Sequence, residues 1–180
     1  AEQALVNAFR QLADAKVNDL VLDLRYNGGG YLDIAAEVAY MVAGPGLTTG
    51  RTFEKTVFSD KHTTRDPVTG QVITPVPFHA TAQRFSVPDG QALPTLNLSR
   101  VTVLTGANTC SASESIINGL QGVGVQVIQV GATTCGKPFG FYPTGWDVNI
   151  LDQLGPQEWK DDGYAGKTVF EAAPDGSVML

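Results

Sequence analysis

Apolar residues recur at helical spacing at Leu5, Ala8, Phe9 and Leu12, within Ala4 to Lys16, and then close up into the run Leu20-Val21-Leu22-Asp23-Leu24. Spacings of three and four residues lay one stripe along a helix, whereas a short compact run suits a buried strand. A helix feeding a strand is expected. The run ends in Arg25-Tyr26-Asn27-Gly28-Gly29-Gly30, and a second helical stripe follows in Ala35, Val38, Ala39 and Val42, closed by Gly44-Pro45-Gly46. The first unit therefore reads strand, glycine turn, helix.

Residues 44–95 are broken by Gly and Pro, with β-branched or aromatic pieces at Thr52 to Phe58, Gln71 to Val76 and Ala82 to Val87. Turn pairs at Asp66-Pro67, Thr69-Gly70 and Asp89-Gly90 separate them, which predicts an irregular, β-rich excursion. From Arg100 the earlier rhythm returns: a strand at Val101 to Thr105, a helix over about Ser111 to Leu120, a strand at Val125 to Val130, and a loop from Gly131 to Gly136. Two strand-turn-helix units flanking an excursion indicate an α/β fold.

The 180 residues, 43% hydrophobic and 17% charged, suffice for one core, and 1–180 is expected to be a single domain. A net charge of -6 argues against a nucleic-acid partner, because phosphate binding needs clustered Lys and Arg. The acidity is uneven: 11 acids and 10 bases precede Trp146, whereas 7 acids and 2 bases follow from it, so 146–180 reads as a solvated segment. No apolar stretch reaches the length of a membrane-spanning helix, and the first residues lack the features of a signal peptide. Since the chain starts without Met and directly in a helical pattern, it is expected to be a piece of something longer.

Three places could carry chemistry. Gly28 to Gly30 would let backbone N–H groups approach an anion or oxyanion, although a plain tight turn explains them too. They match neither a dinucleotide fingerprint nor a Walker loop. Ser111 and Glu114 fit a capping box, in which each side chain serves the other's N–H, yet a serine at a helix mouth also profits as a nucleophile from the helix-end potential. Cap and nucleophile both remain open on local sequence. Lys137, one of six lysines, could act as a base for a serine only in a dry pocket, and its neighbours Val130 and Phe139 allow one. His62 and His79 fall in the excursion and read as surface or packing residues, with no G-x-S-x-G serine to serve. The spacings of the two histidines and two cysteines suit no zinc site, so neither metal nor cofactor is expected.

Leu20 to Gly30, Val101 to Thr105, Ser111-Ala112-Ser113-Glu114 and Gly131 to Lys137, taken together, resemble the C-terminal processing (tail-specific) serine peptidases. The resemblance covers about residues 17–43 and 100–142, with 26 residues from Ser111 to Lys137. It implies an α/β spiral of the Clp protease and crotonase type, Ser111 as nucleophile, Lys137 as base, and the N–H groups of Ala112 and Gly29 as oxyanion donors, with Gly28 as fallback. It further implies an acyl-enzyme mechanism, a peptide or protein substrate bound as an added strand, and work outside the cytoplasm, in the periplasm or after secretion. If Ser111 meets Lys137, Cys110 and Cys135 are carried close together, and either a disulfide or two buried thiols would result.

The chain also departs from that family. Phe141 stands where a glutamine often orients the lysine, Pro138 follows Lys137 in place of glycine, and Gly28 stands where proline is common. No counterpart of the family's PDZ-like domain is expected within 1–180, and 146–180 match nothing of the family. A non-catalytic binder of apolar ligands on the same scaffold, like the retinoid-binding repeats, is the alternative, and a crotonase-type acyl-CoA enzyme is a third reading resting on fold analogy alone.

Overall fold

Three parallel strands set the geometry of everything that follows. The computed structural model describes residues 2–137, 139 and 140. The strands are β1 (Val21–Asp23), β4 (Arg100–Thr105) and β5 (Gln126–Gly131), side by side in the order β1-β4-β5. Leu22 pairs with Val103 and Thr102 with Ile128, so all three strands end at the same edge. The loops leaving that edge are the ones that carry Gly28 to Gly30, Ser111 and Lys137. Parallel pairing requires a crossover between strands, and α4 (Ala112–Gly122) supplies it between β4 and β5.

Alternation along β4 decides which face is covered. Val101 and Val103 are fully buried and Thr105 nearly so, while Thr102 and Leu104 point to the half-exposed side. The buried side joins one core with Val38 and Val42 of α2 (Leu32–Ala43), Ile116 and Leu120 of α4, and Val6 and Phe9 of α1 (Glu2–Asp14). These are the stripes that helical spacing predicts. Among the described residues the other face leaves Val21, Ile128 and Val130 exposed.

The excursion holds less regular structure than its β-branched content suggests. After the short α3 (Pro45–Thr48), it forms β2 (Thr52–Glu54) and β3 (Val76–Pro77), paired antiparallel, with isolated bridges Arg65 to Val72 and Thr81 to Ala92. Ala82 to Val87 is no strand: the N–H groups of Gln83, Ser86 and Val87 go to side chains, whereas Ala82 N–H donates to the Gln91 carbonyl (2.9 Å). The buried Glu2 carboxylate accepts from the N–H groups of Gln83 (3.0 Å), Ser86 (2.5 Å) and Val87 (2.6 Å), and the buried Glu37 also accepts from Gln83 N–H (2.9 Å). Two acids thereby fasten this segment to α1 and α2, which satisfies backbone donors that a sheet would otherwise have to pair.

Candidate active site

The loop after β4 is stitched to both of its neighbours by backbone and hydroxyl groups. Thr109, fully buried, donates from Oγ1 to the Leu24 carbonyl (2.7 Å) and accepts from Gly106 N–H (2.9 Å). Its carbonyl accepts from Cys135 N–H (2.9 Å), while Cys110 N–H donates to the Asn27 carbonyl (3.2 Å). Asn27 Oδ1 also accepts from Ser113 Oγ (2.9 Å). The three motif loops are thus one bonded assembly. Asn27 and Thr109 escaped the sequence reading, because a loop Asn or Thr gives no signal until its partners are known.

Ser111 sits at the turn from this loop into α4 with φ 59° and ψ -121°. A non-glycine residue in that region costs about 1–3 kcal/mol and persists only where its surroundings impose it. A strained serine between a strand and a helix is also the geometry of a nucleophile elbow. The Glu114 N–H goes to the Ser111 carbonyl (2.7 Å), and the Ser111 side chain faces that N–H without forming a full capping hydrogen bond. Ser111 and Glu114 thus keep the arrangement of a capping box. Ala112 opens α4, so its N–H is one of the first-turn donors that helix geometry leaves without an internal partner.

Gly29 lies against Ser111. A Cβ built on it would stand 2.8 Å from Ser111 Cβ and 3.2 Å from Oγ, and its φ of +121° suits glycine. Its N–H donates to Asn27 Oδ1 (2.9 Å), so the donor expected for an oxyanion is engaged by a side chain. Gly28 has no such crowding; its nearest neighbour would be the Asn108 carbonyl at 4.0 Å.

The other half of the expected capping box does more than cap. Glu114 accepts from Ser111 N–H (2.7 Å), Lys137 N–H (3.0 Å), Gly136 N–H (2.8 Å) and Thr134 Oγ1 (2.7 Å). Burial pushes its pKa up, but the Thr134 hydroxyl and the three N–H donors outweigh this and hold it below the ordinary carboxylate value. One ionised carboxylate thereby ties the backbone of Ser111 to that of Lys137. A disulfide between Cys110 and Cys135, Cα atoms 5.2 Å apart, ties the same two loops covalently. Lys137 is half-buried.

Cys110, Glu114 and Cys135 bring their sulfur and carboxylate atoms within 4.8 Å of one another, the only potential metal-ligand cluster among the described residues. Both sulfurs are spent in the disulfide and the carboxylate in hydrogen bonds, which fits no metal. His79 lies in the packing, with Nε2 2.9 Å from Asp33 Oδ1. A cavity of about 480 Å³ lined by Val17, Leu96 and Arg100 lies at the amino ends of β4 and β5 and shares no residue with the site. In parallel α/β sheets ligands bind at the carboxyl ends of the strands, which is where Ser111 stands. Phe141 and 146–180 lie outside the described residues.

A family model described as "Peptidase family S41" matches residues 1–141. The chain belongs to this family. An S41 chain from Bacteroides fragilis NCTC 9343, a candidate protease whose crystal structure is solved, is 32% identical with a TM-score of 0.59. The match covers 79% of the present chain and 34% of that one, so the present chain spans about a third of its length. No curated protein matches the sequence. S41 membership and the parallel sheet together give the α/β fold of the Clp protease and crotonase type that the motifs imply.

Proposed function

We propose that residues 1–180 are the catalytic domain of a serine endopeptidase in which Ser111 is the nucleophile and Lys137 its general base. The observation that carries the reading is the strained Ser111 at the mouth of α4, bound through Glu114 to the Lys137 backbone. In the forward reaction the Lys137 amine takes the hydroxyl proton as Ser111 Oγ adds to a peptide carbonyl. The resulting oxyanion is met by Ala112 N–H and by Gly29 N–H, the latter after Asn27 Oδ1 gives way, with Gly28 as the substitute donor. Lys137 then returns the proton to the leaving amine, and water, activated by the same amine, hydrolyses the acyl-enzyme.

The substrate is a peptide or protein lying as an added strand, since main-chain pairing gives affinity without demanding one sequence. An extracytoplasmic setting suits the disulfide. Mass spectrometry on a pool of unstructured peptides tests the reading. The native chain should yield fragments, whereas Ser111→Ala and Lys137→Ala, folded to the same circular dichroism, should yield none. Fragments from Ser111→Ala would remove the nucleophile. Ser111 is only 6% exposed and Gly29 N–H is engaged, which favours the second reading, a binder of apolar ligands. Ligand uptake without cleavage would establish it.

A further inference from the structure

We propose that the Cys110–Cys135 disulfide is a redox gate on the site, closed bridge for the active arrangement and open bridge for a slackened one. The inference rests on the peptidase reading for its effect on catalysis, but its structural half stands alone. Cys110 immediately precedes Ser111, and Cys135 lies two residues before Lys137, so the bridge joins the two loops at the residues the chemistry would use. Cys135 is exposed, whereas Cys110 is half-buried. Of the two bridged residues, Cys135 is the one nearer to solvent for an incoming thiolate.

The chemistry is ordinary thiol–disulfide exchange with a dithiol, a small molecule or a protein of the Cys-x-x-Cys type. The dithiol's thiolate attacks Cys135 Sγ, the bond to Cys110 Sγ breaks, and Cys110 leaves as a thiolate that takes a proton. The dithiol's second thiolate then attacks the mixed disulfide and releases Cys135. Two electrons and two protons pass to the protein, and the dithiol becomes a disulfide.

Reduction changes what surrounds Glu114. Cys135 Sγ stands 3.6 Å from Glu114 Oε2, the oxygen that accepts from both Ser111 N–H and Lys137 N–H. A disulfide sulfur has no proton to give, whereas a thiol does. The freed Cys135 thiol would compete for that oxygen just as the covalent tie between the loops is lost. Cys135 N–H to Thr109 and the remaining Glu114 contacts keep the segment near, so the loop loosens without unfolding.

The test compares oxidised and dithiol-treated full chain, with alkylation and intact mass counting the thiols released. Amide hydrogen exchange at Gly136 and Lys137, both donors to Glu114, should quicken by about tenfold or more on reduction. Peptide cleavage should fall by about tenfold to a hundredfold, the scale expected of a misplaced catalytic group, and return on reoxidation. Cys110→Ser with Cys135→Ser should exchange fast and cleave slowly whether or not dithiol is present. Reduced protein with two alkylated thiols whose exchange or cleavage stays within about twofold of the oxidised form overturns the gate, and so does a bridge that yields no thiols short of unfolding. Oxidised protein that cleaves nothing removes the peptidase reading instead, and the exchange rates alone then decide whether the bridge governs the loop.

Discussion

Gly29 and Ser111 are each in a conformation their neighbours impose, and each is needed for the other. The space a Gly29 side chain would fill is already held by the Ser111 Cβ. Gly29→Ala should therefore push Ser111 from its turn. The expected result is loss of peptide cleavage together with a stability loss of about 1–3 kcal/mol from the unfavourable φ, read by urea denaturation. Cleavage retained at native rate would show that Ser111 does not depend on this contact. The glycine run is visible in the sequence; which of its three members approaches the serine is not, because that depends on how β1 and β4 are set side by side.

At the scale of elements, Glu114 joins α4 to the loop after β5. Glu114→Gln keeps the volume but turns one acceptor oxygen into a donor NH₂ facing N–H groups. A buried donor left without an acceptor costs about 1–3 kcal/mol, more where a charge was lost. Faster hydrogen exchange at Ser111, Gly136 and Lys137 should report it, and unchanged exchange would mean that the carboxylate is not what holds these segments. The sequence offers Glu114 as a helix cap, which is correct for its Ser111 contact. Its hydrogen bonds to Thr134, Gly136 and Lys137 come from 20 to 23 residues away and follow only from the parallel pairing of β4 with β5. The excursion shows the reverse case. Its β-branched residues favour strands, but Glu2 and Glu37 capture the N–H groups of Gln83, Ser86 and Val87 that a sheet would have used.

The whole molecule should be most stable in mildly acidic solution. Glu54 is 5% exposed and its Oε2 has no hydrogen-bond partner among the described residues. Burial, with a smaller push from Asp33, raises its pKa from 4.5 to about 7. Burial also raises Glu37 to about 7, partly offset by Gln83 N–H and aided by the adjacent Glu2. Between these values the folded state keeps protons that the unfolded chain releases, so stability is fully present below about pH 4.5 and is lost as pH rises through 7. The lowered pKa of Glu114 acts oppositely: its contribution is present above 4.5 and lost as pH falls through the folded value. For Glu54 the loss toward pH 8 amounts to about 3 kcal/mol. Glu54→Gln should remove the Glu54 share of the slope and leave that of Glu37, stabilising the protein at pH 8 relative to pH 5 in urea titrations; an unchanged slope would place the titration elsewhere.

Hydrophobic spacing by itself located the helices and strands of the two strand-turn-helix units. The compact run at Leu20 to Leu24, expected as a buried strand, nonetheless forms a β1 that is largely exposed, because one face of the sheet is left open among the described residues. The glycine run and the S-A-S-E segment were legible as local motifs, whereas the roles of Ser111 and Lys137 were legible only through the combined resemblance to a family. Only the tertiary structure decided that their loops leave one edge of one sheet, that Asn27, Thr109 and Glu114 bind them together, and that Cys110 reaches Cys135. Those contacts join residues far apart in the chain, and their partners are chosen by strand order and register, which no local pattern encodes.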